Sequence, residues 1–363
     1  MKDFKVIWTK NAEFDLESVI EYIKTDSIQI AKDIFFEILT SFSFAQNSRY
    51  ALGRYKIMNR NILTLAIIVF MSLSGCSSKI GMFVSTNVSP LEQHHVSLGD
   101  GYKATYYKIQ IGDSRKTDTV VFFIGGSGHT SLNYYLKSYF EDLDGNVTVY
   151  ALQKRYVGHR KTGQFKPSDE FLRYNHYPQW VSDQKDFINA LIKNKNLTGK
   201  KLIIFGVSEG GNIAAQLASE IPKVTHLMVL GSGAMVGIDE FRLWGKKYNI
   251  DFDKLYRQVK EYPDSIERVT IGQTYKYWAS VLPVNPMDYL KTITIPILYV
   301  VGGEDKMMPV ESVYFLQNEF KRLRKQNLTV KVYPGCNHVL KDSSGKSHRG
   351  DMLRFASKWW SAE

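Results

Sequence analysis

Only two cysteines, Cys76 and Cys336, occur in 363 residues, too few for a disulfide framework to carry the fold. Long apolar runs are also scarce: Ile62 to Leu73 spans twelve residues, short of the roughly 20 that a membrane-crossing helix needs. No internal repeat is visible, which sets aside solenoids and propellers. Acidic residues are outnumbered, 36 Asp+Glu against 47 Lys+Arg, for a formal charge of +11. The first 57 residues hold 8 of each sign, so the excess falls on the remainder. Such a balance suits anionic surfaces or acidic substrates, yet no nucleic-acid motif or interleaved aromatic pattern accompanies it. The charge therefore reads as a solvated surface, and no nucleic-acid partner is expected. Asp251, Asp253, Asp264 and Glu267 do not stand at metal-ligand spacing, and no metal or organic cofactor is expected. What is present is a chain 44% apolar and 13% aromatic, long enough for two or three domains and a substantial core.

Three segments of unlike character follow one another. Residues 1–57 begin with a strand pattern, Phe4 to Thr9. Helical spacing follows at Leu16, Val19, Ile20 and Ile23, and again at Ala31, Ile34, Phe35, Ile38 and Phe42, with Asp26 and Ser27 between the two. This strand–helix–helix fragment, through about residue 45, resembles the start of RelE/ParE-type toxins. The later strands that complete that family's sheet have no counterpart here, so no toxin residue carries over, and the segment reads as a truncated fragment. Residues 58–76, MNRNILTLAIIVFMSLSGC, have a short amino-terminal region with Arg60, an apolar stretch, and Leu73-Ser74-Gly75-Cys76. This segment resembles a bacterial lipoprotein signal peptide with its lipobox. The resemblance implies cleavage before Cys76, a lipid anchor on its sulfur, and a place in the cell envelope; Ser77 after it goes with the outer membrane. Since such a signal normally leads a chain, translation is expected to begin properly at Met58. A chain that begins at Met1 and is not exported would instead be cytoplasmic. Residues 77–99 are expected to be a polar tether.

From about residue 100 to 363 the pattern is that of a working domain. Apolar runs at Tyr102–Ile111, Thr119–Ile124, Val147–Leu152, Leu202–Phe205, His226–Leu230, Ile297–Val301 and Leu328–Tyr333 alternate with helix-like stretches. Those stretches are Ser131–Phe140, Trp180–Ile192, Asn212–Glu220, Val310–Lys325 and Asp351–Trp360. Continuous apolar strands separated by helices predict an α/β fold, a doubly wound and mostly parallel sheet covered on both faces. Between about 237 and 290 the strand rhythm gives way to aromatic-rich helical sequence.

The chemistry is concentrated at strand ends. Gly206-Val207-Ser208-Glu209-Gly210 lies between an apolar strand and a helix, where a sharp turn exposes a serine hydroxyl beside helix N-terminal N–H groups. A serine needs a base before it attacks a carbonyl. Two later strands end in Gly302-Gly303-Glu304-Asp305 and Gly335-Cys336-Asn337-His338, on the edge where open α/β sheets build their sites. With the order Ser, Asp, His, residues 100–363 resemble the α/β-hydrolase family. The resemblance implies Ser208 as nucleophile, Asp305 as orienting acid with Glu304 as the alternative, and His338 as general base and acid. It also implies an acyl-enzyme route for an ester, thioester or amide, an oxyanion donor at the N–H of Glu209, and a helical cap at 237–290. The second donor falls in Ile124-Gly125-Gly126-Ser127-Gly128-His129, which departs from the family's His-Gly-x segment; Ser127 is expected, with Gly126 the alternative. His129 reads as a loop or pocket residue, and Arg155, Tyr156, His159 and Arg160 as loop, with anion binding the alternative. Cys336 reads as a small strand-end residue. The cap aromatics read as packing, with a lined apolar pocket the alternative. A peptidase, an acyltransferase of the same fold, and a non-catalytic interaction protein remain the competing readings. The partners expected are a small-molecule or acyl substrate and, through a lipid anchor on Cys76, a membrane.

Overall fold

The computed structural model describes residues 90–159, 166–195 and 197–362. The toxin-like fragment, the signal segment with Cys76, most of the expected tether and Arg160 lie outside the described residues.

Ten strands are described: β1 (His94–Ser97), β2 (Lys103–Ile111), β3 (Thr119–Ile124), β4 (Val147–Leu152), β5 (Lys201–Val207), β6 (His226–Leu230), β7 (Val269–Thr270), β8 (Gln273–Thr274), β9 (Ile297–Gly302) and β10 (Leu328–Tyr333). Eight of them form one sheet in the order β1-β2-β4-β3-β5-β6-β9-β10. From β4 to β10 every neighbouring pair is parallel, while β1 pairs with β2 and β2 with β4 antiparallel. The parallel strands are apolar at nearly every position because helices cover both faces. Within β3, Val120, Phe122 and Ile124 enter the core on one face, and Val121 and Phe123 the core on the other. β5 divides in the same way, Leu202 and Ile204 against Ile203 and Phe205. This is the two-residue alternation of a strand, and each such side chain withdrawn from water contributes about 1.5–3 kcal/mol. The mostly parallel, helix-covered sheet expected from the sequence is the fold observed.

The expected tether ends earlier than its polar composition suggested. His94–Ser97 is an edge strand whose side chains alternate between half-buried and exposed, so it carries no apolar signature. The helix expected over Ser131–Phe140 is instead a short 3₁₀ turn, Leu132–Tyr134, followed by a four-residue helix, Leu136–Tyr139. Ser131 caps the first by accepting from the N–H of Asn133, and Tyr135 interrupts the two.

The interval after β6 holds the helices Gly237–Tyr248, Phe252–Glu261, Tyr275–Val281 and Met287–Leu290 and the β7–β8 hairpin. It has an apolar centre of its own, built from Phe252, Leu255, Val259, Tyr277, Trp278 and Leu282. Phe241 and Trp244 pack against that centre, with Phe241 edge-on to Trp278 at 4.9 Å. Most of the aromatics noted in the sequence thus hold this unit together. Glu240 fastens it to the sheet domain: buried, it accepts from the N–H of Met235 and from the hydroxyl of Ser312 on the helix Val310–Arg322.

Candidate active site

Ser208 follows β5 and opens the helix Glu209–Glu220 with φ 54° and ψ −125°. A side-chain-bearing residue rarely holds such a backbone, and the strain, on the order of 1–3 kcal/mol, persists only where the surroundings impose it. Two glycines impose it. A Cβ on Gly206 would fall 2.2 Å from the carbonyl oxygen of Gly210, and one on Gly210 would fall 2.3 Å from that of Ile124. Only bare backbone lets the helix return so tightly over the strand end and press on the loop after β3. The N–H of Ser208 donates to Leu230 at the end of β6, which ties the turn to the neighbouring strand.

Asp305 stands in the turn after β9, its side chain fully shielded from solvent. One carboxylate oxygen accepts from the N–H groups of Met307 and Met308, at 2.8 and 2.9 Å. The other accepts from Nδ1 of His338 at 2.7 Å. Charge-assisted bonds of this length are strong and fix the imidazole's tautomer and direction. Glu304, by contrast, is exposed. The imidazole lies over Gly231, where an added Cβ would sit 3.0 Å from its Cε1. Gly231 directly follows Leu230, the residue that receives the Ser208 N–H, so the serine, the imidazole and the carboxylate converge on adjoining carboxyl ends of β5, β6 and β9. Among the described residues Ser208 Oγ and His338 share no hydrogen bond.

The loop after β3 meets Ser208 at Gly126. A Cβ placed there would lie 3.1 Å from Ser208 Cβ and 3.7 Å from its Oγ. Ser127 follows, exposed. Glu209, first in the helix, turns its carboxylate away from solvent onto Lys154 at 2.9 Å, an ion pair with both side chains about nine-tenths buried. A cavity of about 40 Å³ lies beside this loop, lined among others by Gly126, Ser127, Gln153, Lys154 and Trp180. Lys154 was not singled out by sequence reasoning; its partner is 55 residues away and no local pattern marks the pair.

The neighbouring residues are engaged with partners of their own. The guanidinium of Arg155 is buried against both oxygens of Asp183, at 2.8 and 2.7 Å, and against Asp100 at 2.7 Å. Burial alone would lower its pKa, and the two carboxylates more than offset this and raise it. Its charge is committed, which removes the anion-binding alternative for Arg155. Tyr156 packs between Tyr102 and Tyr174, His159 is 2.9 Å from the Tyr107 hydroxyl, and His129 packs on Phe171. Cys336 is buried, and that burial pushes its thiol above the ordinary pKa, the opposite of an activated nucleophile. Among the described residues no cluster of three or more His, Cys, Asp or Glu side chains is arranged to hold a metal ion, and no helix is long and apolar enough to cross a membrane.

Comparison with known proteins agrees with this fold. A model of the prolyl oligopeptidase family matches residues 168–363. The human serine hydrolase BPHL is 26% identical over 243 residues, covering 60% of this chain and 75% of that protein. The rat acylamino-acid-releasing enzyme is 20% identical over 193 residues, and the match spans half of this chain but only 23% of that enzyme's length. Among solved structures, Est1E from Butyrivibrio proteoclasticus superposes with a TM-score of 0.52 at 16% identity, covering 74% of this chain and 98% of that one. An acylaminoacyl peptidase in complex with Z-Gly-Gly-Phe-chloromethyl ketone gives 0.51 at 13%, covering 75% and 42%. Family match, sheet topology and strand-end chemistry together make this chain a member of the prolyl oligopeptidase family and a serine hydrolase of the α/β-hydrolase type.

Proposed function

We propose that Ser208, His338 and Asp305 form a catalytic triad that cleaves an ester, thioester or amide through an acyl-enzyme. The observation that carries the reading is the 2.7 Å link between a solvent-shielded Asp305 and His338, set beside a serine held at φ 54°. With Nδ1 committed to Asp305, Nε2 of His338 takes the Ser208 proton as Oγ attacks the carbonyl carbon. The same nitrogen then protonates the leaving group. Water, deprotonated by His338, releases the acid and restores Ser208. The charge that develops on the carbonyl oxygen is received by the N–H of Glu209 and by the Gly126–Ser127 segment, each donor being worth roughly 3 kcal/mol in the transition state. Turnover of a panel of p-nitrophenyl esters and aminoacyl anilides by residues 77–363 tests this. Ser208→Ala should abolish it, and undiminished turnover by that variant would sink the assignment.

Peptide-bond cleavage is the second reading, favoured by the match to the prolyl oligopeptidase family and by the likeness to acylamino-acid-releasing enzymes. Faster turnover of the anilides than of the esters selects it.

The lipobox-like Leu73-Ser74-Gly75-Cys76 supports a mature chain that starts at Cys76, lipid-anchored in a bacterial envelope with its hydrolase domain outside the cytoplasm. Residues 1–57 are then a toxin-derived remnant with no part in catalysis. Mass spectrometry of the amino terminus decides, since a chain still beginning at Met1 contradicts the anchor.

A further inference from the structure

We infer that the consecutive residues Gln153 and Lys154 are positioning residues that brace the two halves of the oxyanion hole against each other. The inference rests on Ser208 being the nucleophile. Both residues stand just past β4, and the N–H of Gln153 still donates to Thr105 of β2, so their backbone is fixed to the sheet. Side chains alternate in direction along an extended chain, so two neighbours can serve opposite sides. The Oε1 of Gln153 accepts from the N–H of Leu132 at 2.7 Å and holds the far end of the loop that begins at Gly125. Lys154 reaches across the end of β3 to Glu209 at 2.9 Å and holds the first residue of the helix after β5. The strand order β4-β3-β5 puts the loop between these two grips.

The physical case is one of rigidity without solvent. Gln153 is 5% exposed, and the Lys154 and Glu209 side chains are 10% and 8% exposed, so the bonds face little competition from water. Lys154 is itself steadied by Asn175 Oδ1 at 3.5 Å and by the face of Trp180, 5.5 Å away. Glu209 contributes its N–H to the developing oxyanion and its carboxylate to Lys154, so a shift of the side chain shifts the donor. Oxyanion donors act through geometry, and their effect falls steeply when they are misplaced by a fraction of an ångström. Among the described residues neither brace residue bonds Ser208, His338 or Asp305. Their effect therefore belongs to the transition state, not to substrate binding.

Lys154→Met and Gln153→Met remove the grips while keeping length. For the fastest ester of the panel, each should lower kcat at least about tenfold with KM within about twofold of the parent. Affinity for an aryl boronic acid, whose tetrahedral adduct on serine carries the same oxyanion, should fall by the same factor as kcat/KM. Lys154→Arg should restore most of both. Where Lys154→Met does not fold, Glu209→Gln tests the same link from its other end. All rates are taken per fluorophosphonate-reactive Ser208. Variants that lose thermal stability but keep kcat and boronate affinity would overturn the brace, leaving these residues merely structural. A parent protein whose Ser208 does not react with fluorophosphonate overturns the nucleophile reading itself, a separate failure.

Discussion

Glu240→Gln should make stability less dependent on pH between about 4.5 and 7. The Glu240 carboxyl is 3% exposed where the helix Gly237–Tyr248 meets the sheet domain. Burial pushes its pKa from 4.5 up to about 7, only partly countered by the bonds it accepts from Ser312 and Met235. An acid with a raised pKa keeps its proton in the folded protein at pH values where the unfolded chain has lost it. Its contribution is therefore fully present below pH 4.5 and is lost as pH rises through 7. At about 1.4 kcal/mol for each pH unit, the interval amounts to about 3 kcal/mol. Glutamine keeps the size and the accepting oxygen and never ionises. Urea denaturation of parent and variant at pH 4.5, 6 and 8 gives the difference directly. The parent should lose about 3 kcal/mol relative to the variant between the first and last of these. A difference that stays constant across the three values would refute the reasoning and show that the buried carboxyl does not titrate in this window.

Asp305→Asn should leave the fold intact and lower kcat by about 10⁴, because the amide no longer fixes the imidazole tautomer; stopped-flow hydrolysis of an activated ester measures it. Gly210→Ala should cost both stability and activity, since its methyl would meet the Ile124 and Gly125 carbonyl oxygens at 2.3 and 2.5 Å; loss of soluble protein or of most turnover is the expected outcome. Arg155→Met should destabilise by about 3–5 kcal/mol in urea, because Asp183 is left charged and buried without its partner. None of that loss should depend on which substrate is used.

The sheet was legible because burial on both faces makes β3, β4 and β6 nearly continuous apolar runs, and their ends fall where the runs end. β1 was hidden for the converse reason: an edge strand reading His-His-Val-Ser needs no apolar face, and its polar composition looks like a tether. The turn around Ser208 was readable from its glycines, since steric necessity writes itself into the sequence. The resemblance pointed to Asp305 ahead of Glu304, but what turns Asp305 inward was not legible: the N–H groups of Met307 and Met308 bond its carboxylate, while Glu304 is exposed. Nor was the link from Lys154 to Glu209 visible. Long-range ion pairs have no spacing, and a lysine after a strand looks like any solvated lysine until the partner is placed beside it.

The most direct test of the central claim, that Ser208 is the acylated nucleophile, is intact-protein and peptide mass spectrometry after reaction with a fluorophosphonate. One adduct per chain, mapped to the peptide holding Ser208 and lost in His338→Ala, is the result this account predicts. An adduct on another residue, or an unreactive Ser208 in folded protein, would contradict it.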